Sequence, residues 1–283
     1  ADKIIEKMRK VRNDVKSYER SWVWELIQNA KDNVSGDFPN QKVSIKINIS
    51  PTNFHFSHNY GYFTRSNVEG IVRQVNKKDV KNEDETTNKP VIIGKFGTGF
   101  MTTHLLSKKI DVKALYFKDN TFKKFVEFPI DRTEIDKDFL VSSIRKSFEI
   151  AQDSIKDDNA ISLPKESIDF SDYNSEFSYQ LDENAQKTAQ VGINDLFHSL
   201  PYTLVFVDGI EKVEINNLGI ITEFTKVEKE PLSPSVNLVH IIKTTPNQID
   251  NLIFAYLKKS VKREYKGKEI DVDVRITLPL QSN

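Results

Sequence analysis

Apolar residues at 43, 45, 47 and 49, each separated by a polar one, predict a half-buried strand over residues 43 to 49. Ser50-Pro51-Thr52-Asn53 closes it, and a short run at 53 to 57 is expected to return beside it as a hairpin. Upstream, residues 4 to 33 hold neither Gly nor Pro and many helix formers. They predict one or two helices ending near Gly36 and Pro39. Helical spacing of Val68, Ile71, Val72 and Val75 predicts another helix over 66 to 76, followed by a polar, charged loop over 77 to 90. Strands are expected at 110 to 117 and 121 to 128 around Lys118-Asp119-Asn120.

A helix is expected around 138 to 150 and another at 188 to 199, then strands at 202 to 207, 212 to 215 and 220 to 227. The span 231 to 234, with Pro at each end, reads as a linker or sheet-edge break. A strand at 238 to 243, a helix at 248 to 261 and a strand at 270 to 278 complete the expectation. Residues 1–228 are read as one domain with a variable insertion at about 131–190. Residues 229–283 are read as an extension or the start of a second domain.

Composition narrows the classes. Forty-one Lys+Arg balance 41 Asp+Glu, so no global field draws the chain to nucleic acid or anionic lipid. The basic run Lys258, Lys259, Lys262, Arg263, Lys266 and Lys268 reads either as a local phosphate contact or as a solvated helix end. Zero cysteines remove disulfides, thiolate metal sites and cysteine nucleophiles, and leave a cytoplasmic location as a weak expectation. No segment reads as membrane-spanning, and the chain is expected to be a piece of a longer protein.

The candidate chemistry lies in two stretches. On the helix Ser21-Trp22-Val23-Trp24-Glu25-Leu26-Ile27-Gln28-Asn29-Ala30-Lys31-Asp32, the residues Glu25, Asn29 and Asp32 share a stripe beside an apolar arc. An Asn carbonyl can ligate a metal-bound phosphate without adding charge, and a carboxylate one turn away can act as base on water. A solvated polar face accounts for the same stripe. In Gly94-Lys95-Phe96-Gly97-Thr98-Gly99-Phe100, the glycines allow close approach to a phosphate, or simply make a turn feeding a helix. No Lys-Ser/Thr pair follows them, so this is not a Walker A loop.

Together these stretches resemble the GHKL ATPases, the superfamily of gyrase, the ninety-kilodalton heat-shock chaperone, histidine kinases and MutL. Residues 25 to 32 are similar to that family's N-box and residues 94 to 100 to its third glycine motif, closest to the chaperone-like and sacsin-like branches. Phe56-Ser57-His58-Asn59-Tyr60-Gly61-Tyr62-Phe63-Thr64 stands where the family has Asp-x-Gly-x-Gly, with His58 in the Asp slot and Tyr60 in a glycine slot.

The resemblance implies an α+β, Bergerat-type two-layer sandwich, with helices on one face of a mixed, largely antiparallel sheet and a lid at about 77–93 over an ATP pocket. It implies Glu25 as general base, Asn29 as Mg²⁺ ligand, Asp32 near the ribose and adenine, and Gly94, Lys95, Phe96, Gly97, Thr98, Gly99 and Phe100 around the phosphates. His58 or Asn59 would read adenine, with Thr225 or Thr222 at the adenine-side water. Mg²⁺-dependent ATP hydrolysis coupled to lid closure, and a nucleotide-dependent homodimer, are the expected activities. The alternative is a nucleotide-sensing module without turnover, or a chaperone-like scaffold. A neutral His58 would accept from the adenine amino group, so affinity is expected to fall as pH drops through the histidine range.

Overall fold

A computed structural model describes residues 2–38, 40–73, 99–118, 121–156, 162–265 and 268–280. The chain runs through helices α1 (Asp2–Asn13), α2 (Val15–Tyr18) and α3 (Trp22–Asp37), then strands β1 (Val43–Ile49) and β2 (Asn53–His58). Helix α4 (Arg65–Arg73) follows, then a 3-10 turn at Phe100–Leu105 and strands β3 (Lys109–Lys118) and β4 (Thr121–Asp131). Helix α5 (Lys137–Lys156), strands β5 (Ser162–Leu163) and β6 (Ser175–Gln180), and helix α6 (Glu183–Phe206) come next. Strands β7 (Ile210–Asn217), β8 (Ile220–Ser233), β9 (Val236–Thr244), β10 (Ile249–Tyr265) and β11 (Lys268–Leu280) complete it.

All the strands join one sheet in the order β11-β10-β9-β8-β7-β1-β2-β6-β3-β4-β5. Its ladders are antiparallel except β1–β7. The result is a mixed α/β molecule built on a large, mostly antiparallel sheet with six α-helices among the described residues.

Alternation along β1 puts Val43, Ile45, Ile47 and Ile49 on one face, each at most 3% exposed. Register carries that inner face into Phe54, Phe56 and His58 on β2, and then into Tyr179, Phe177 and Ser175 on β6. Helix α3 covers it with Trp22, Val23, Leu26, Ile27 and Ala30; the Trp22 ring meets Phe54 edge-on at 5.0 Å. Helix α6 starts at Asp182, whose side chain accepts from the Ala185 N–H at 2.8 Å, and adds Ala189, Ile193, Leu196, Leu200 and Leu204. Among the described residues no helix is long and apolar enough to cross a membrane.

Several elements depart from expectation. The strand expected at 202 to 207 is the last part of α6, which continues through Pro201 because Leu200, Leu204 and Val205 stay in the core. That packing outweighs the hydrogen bond lost at proline. The helix expected at 248 to 261 is strand β10, hydrogen-bonded to β9 on one side and β11 on the other. The span 231 to 234 lies at the end of β8 and the turn after it, where the β8–β9 register shifts between Lys229 and Ser233. The helix expected after Gly99 is a six-residue 3-10 turn. The insertion at 131–190 supplies β6, which sits between β2 and β3. Residues 229–283 add the rest of β8 and β9 to β11 to the same sheet.

Candidate functional site

Glu25 lies in the first turn of α3, half-buried. Its carboxylate sits against the backbone of Gly99, so close that a Cβ at residue 99 would overlap the carboxylate carbon and both oxygens. The missing side chain at residue 99 is what lets the carboxylate take this position. Gly99 in turn accepts from the Thr102 N–H at 2.9 Å and from Thr102 Oγ1 at 2.8 Å, which fixes the turn beneath the carboxylate. Burial raises the Glu25 pKa above the usual carboxylate value, and the positive charge of Lys7 partly opposes this.

We expect Gly99→Ala to push the Glu25 carboxylate, the end of a flexible side chain, out of its present position and to lower stability by less than about 1 kcal/mol. Gly70 in α4 is the control: nothing lies within 4 Å of its Cβ position, so Gly70→Ala should stabilise by up to about 1 kcal/mol. Thermal unfolding of the two variants checks both signs.

One turn beyond Glu25, Asn29 is 7% exposed and its buried Nδ2 finds no hydrogen-bond partner among the described residues. An unmatched buried amide costs about 1–3 kcal/mol, and a ligand rich in acceptor oxygens would offset it. This chemistry suits a cation–phosphate group, because an amide offers Oδ1 to a hard cation and N–H to phosphate oxygen. Asp32, further along the helix, is half-buried and lies 3.2 Å from Lys31 Nζ.

His58 ends β2 facing the same layer and is 3% exposed. Its Nδ1 lies 3.0 Å from the Asn59 carbonyl, so Nδ1 carries the proton and Nε2 bears the lone pair. Burial pulls its pKa down to about 4, with the Asn59 carbonyl partly opposing. The expected loss of ligand affinity through the ordinary histidine range is thereby corrected: the ring stays neutral until about pH 4.

Asn59 is committed to the fold, its Oδ1 accepting from the Ser44 N–H at 2.7 Å and its Nδ2 donating to the Ser171 carbonyl at 3.4 Å. Tyr60, in the glycine slot, has φ of 52°, the left-handed conformation glycine favours. Its N–H donates to the Phe170 carbonyl at 2.8 Å and its ring packs on Phe38 at 5.6 Å, which hold it there.

Two further residues complete this end of the site. A Cβ at Gly61 would lie 2.5 Å from His58 Cε1, 2.6 Å from Ser175 Oγ and 3.0 Å from Asn33 Nδ2. Ser175 Oγ and Asn33 Nδ2 are buried without hydrogen-bond partners among the described residues. Asn33 was legible in principle, one helical turn past Asn29. Ser175 carries no local signal, since only the pairing of β2 with β6 brings it opposite His58.

Thr225 is not brought to this cluster. It lies on β8, with β7 and β1 between it and β2, and register with Lys212 turns it to the outer face, away from His58. There Thr225 Oγ1 donates to Glu223 Oε1 at 3.1 Å. Thr222 does face inward, 5% exposed, on the same distant strand. Phe100 is fully buried against Phe177, at 5.7 Å between ring centres, and so serves the core. Gly94, Lys95, Phe96, Gly97, Thr98 and the expected lid at 77–93 lie outside the described residues. Of the basic run, Lys258, Lys259, Lys262 and Arg263 lie on β10 and Lys268 opens β11, not on a helix, while Lys266 lies outside the described residues; Lys262 pairs with Glu269 at 3.1 Å. Comparison with protein-family models and with curated proteins finds no match to this chain.

Proposed function

We propose that the protein binds an adenine nucleotide with Mg²⁺ beside α3 and hydrolyses it, as a Bergerat-type ATPase module with a lid at about 77–93. One juxtaposition carries this reading. The half-buried carboxylate of Glu25 is set against Gly99, the last glycine of the glycine-rich run, one turn from the unmatched amide of Asn29. Asn29 holds the cation through its carbonyl, and Mg²⁺ would supply charge neutralisation at the phosphates. Glu25 takes the proton of the attacking water, and His58 presents Nε2 as acceptor toward the base. Lid closure and nucleotide-dependent dimerisation of the protein belong to the same reading.

A second reading is nucleotide sensing without turnover, which needs the Asn29 amide and the glycine turn but not Glu25 as a base. Both readings require binding. Calorimetric titration with ATP, with and without Mg²⁺, should show Mg²⁺-dependent tightening that Asn29→Ala removes. Absence of any ATP-induced thermal shift at millimolar nucleotide would overturn both.

A further inference from the structure

The outer face of the sheet changes character along its width. Across β1, β2 and β7 it carries polar residues, among them Lys46, Asn48, His55, Glu214 and Asn216, as a solvated face should. Across β9 to β11 it becomes aliphatic. On β11 the inward residue Arg275 donates to the Phe206 carbonyl and to the Asp208 carboxylate, so its neighbours in the alternation point outward. Val274, Ile276, Leu278 and Leu280 are 43%, 60%, 64% and 40% exposed. Leu257 on β10 pairs with Ile276 and is 43% exposed, so these residues form one patch on the order of several hundred Å².

On β9 to β11 the charged residues at outer positions are cations, and Lys229 of β8 adjoins them. Lys259 pairs with Val274, Arg263 with Ile270 and Lys229 with Leu238, which puts all three cations on the outer side. By the same register, no Asp or Glu among the described residues of β9 to β11 takes an outer position. A second copy stacked on this face would set cations against cations. On the inner side, α6 covers these strands around Phe254, where the Tyr202 ring lies at 5.6 Å.

We propose that the outer face of β9–β11 is the docking surface for an amphipathic helix of a partner protein or domain, one whose apolar stripe is flanked by Asp and Glu. The stripe covers Leu257, Ile276 and Leu278, and the acidic flanks meet Lys259, Arg263 and Lys229.

The test uses the full chain and a labelled synthetic helical peptide of sixteen residues, with Leu at helical spacing and Glu on both flanks, followed by fluorescence anisotropy. Saturable binding is expected, at least tenfold weaker for the Lys259→Glu/Arg263→Glu double variant. The same peptide with Lys in place of Glu should bind wild type at least tenfold more weakly and recover on that variant. Ile276→Asn/Leu278→Asn should abolish binding, with circular dichroism confirming that each variant is folded. Four results would each overturn the proposal. They are no peptide binding, equal binding of both peptides, a wild-type dimer that Ile276→Asn dissolves, or capture by phosphatidylserine vesicles in place of peptide.

Discussion

Glu25→Ala is expected to bind ATP and Mg²⁺ as the wild type does and to hydrolyse it about 10²–10⁴-fold more slowly. The carboxylate acts on water in the transition state, so its removal lowers turnover without loosening the ground state. The pH profile sharpens the test. Burial against the Gly99 turn raises the Glu25 pKa, and a general base works only when ionised. Wild-type turnover should therefore fall on the acid side at a higher pH than an ordinary carboxylate dictates, and residual turnover in Glu25→Ala should lack that limb. Lys7 partly opposes the shift, so Lys7→Ala should move the limb further toward neutral pH. An unchanged rate in Glu25→Ala removes the residue from the chemistry. Tight binding with no wild-type turnover, in the same titration, assigns the site to nucleotide sensing.

The parts of this site that could be read from sequence are those written in local periodicity. Strict alternation fixed β1 at 43 to 49, and the α3 stripe correctly set Glu25 one turn from Asn29. What escaped depends on contacts distant in sequence. Ser175 reaches His58 only through a strand pairing across more than a hundred residues, within a stretch whose composition resembles a surface insertion. Thr225 was placed by its strand alone, but the order of strands and a period-two register put it three ladders away on the opposite face. In β10, Ile249, Leu252, Ile253, Tyr256 and Leu257 match a helical period, yet neighbouring strands on both sides and the burial of Phe254 make a strand. That misreading hid the aliphatic outer face, which becomes visible only once β10 and β11 are aligned.

Acid should unfold this protein in a window set by two buried imidazoles. His58 is 3% exposed and His104 is 4% exposed, and burial lowers their pKa values to about 4 and about 3. For His104 the charges of Arg132 and Arg12 push the same way, while the Ser107 carbonyl, 3.1 Å from Nδ1, resists. Arg132 is itself 1% exposed and donates to the Val72 carbonyl, so the positive charge beside His104 is locked into the fold. An unfolded histidine gains its proton near pH 6.5, whereas the folded pair refuses it until about pH 4 and about pH 3. The stability held above pH 6.5 is therefore lost as pH falls toward 3, by on the order of 3–5 kcal/mol per histidine. That loss rivals the whole stability of an ordinary domain. Urea unfolding between pH 7.5 and 4.5 should give a stability that declines with uptake of about one proton per buried histidine near pH 5. His104→Gln keeps a donor for Ser107 and cannot titrate, so its slope should be shallower by about one proton, whatever it costs at neutral pH. A slope identical to wild type would show that His104 already takes its proton in the folded protein.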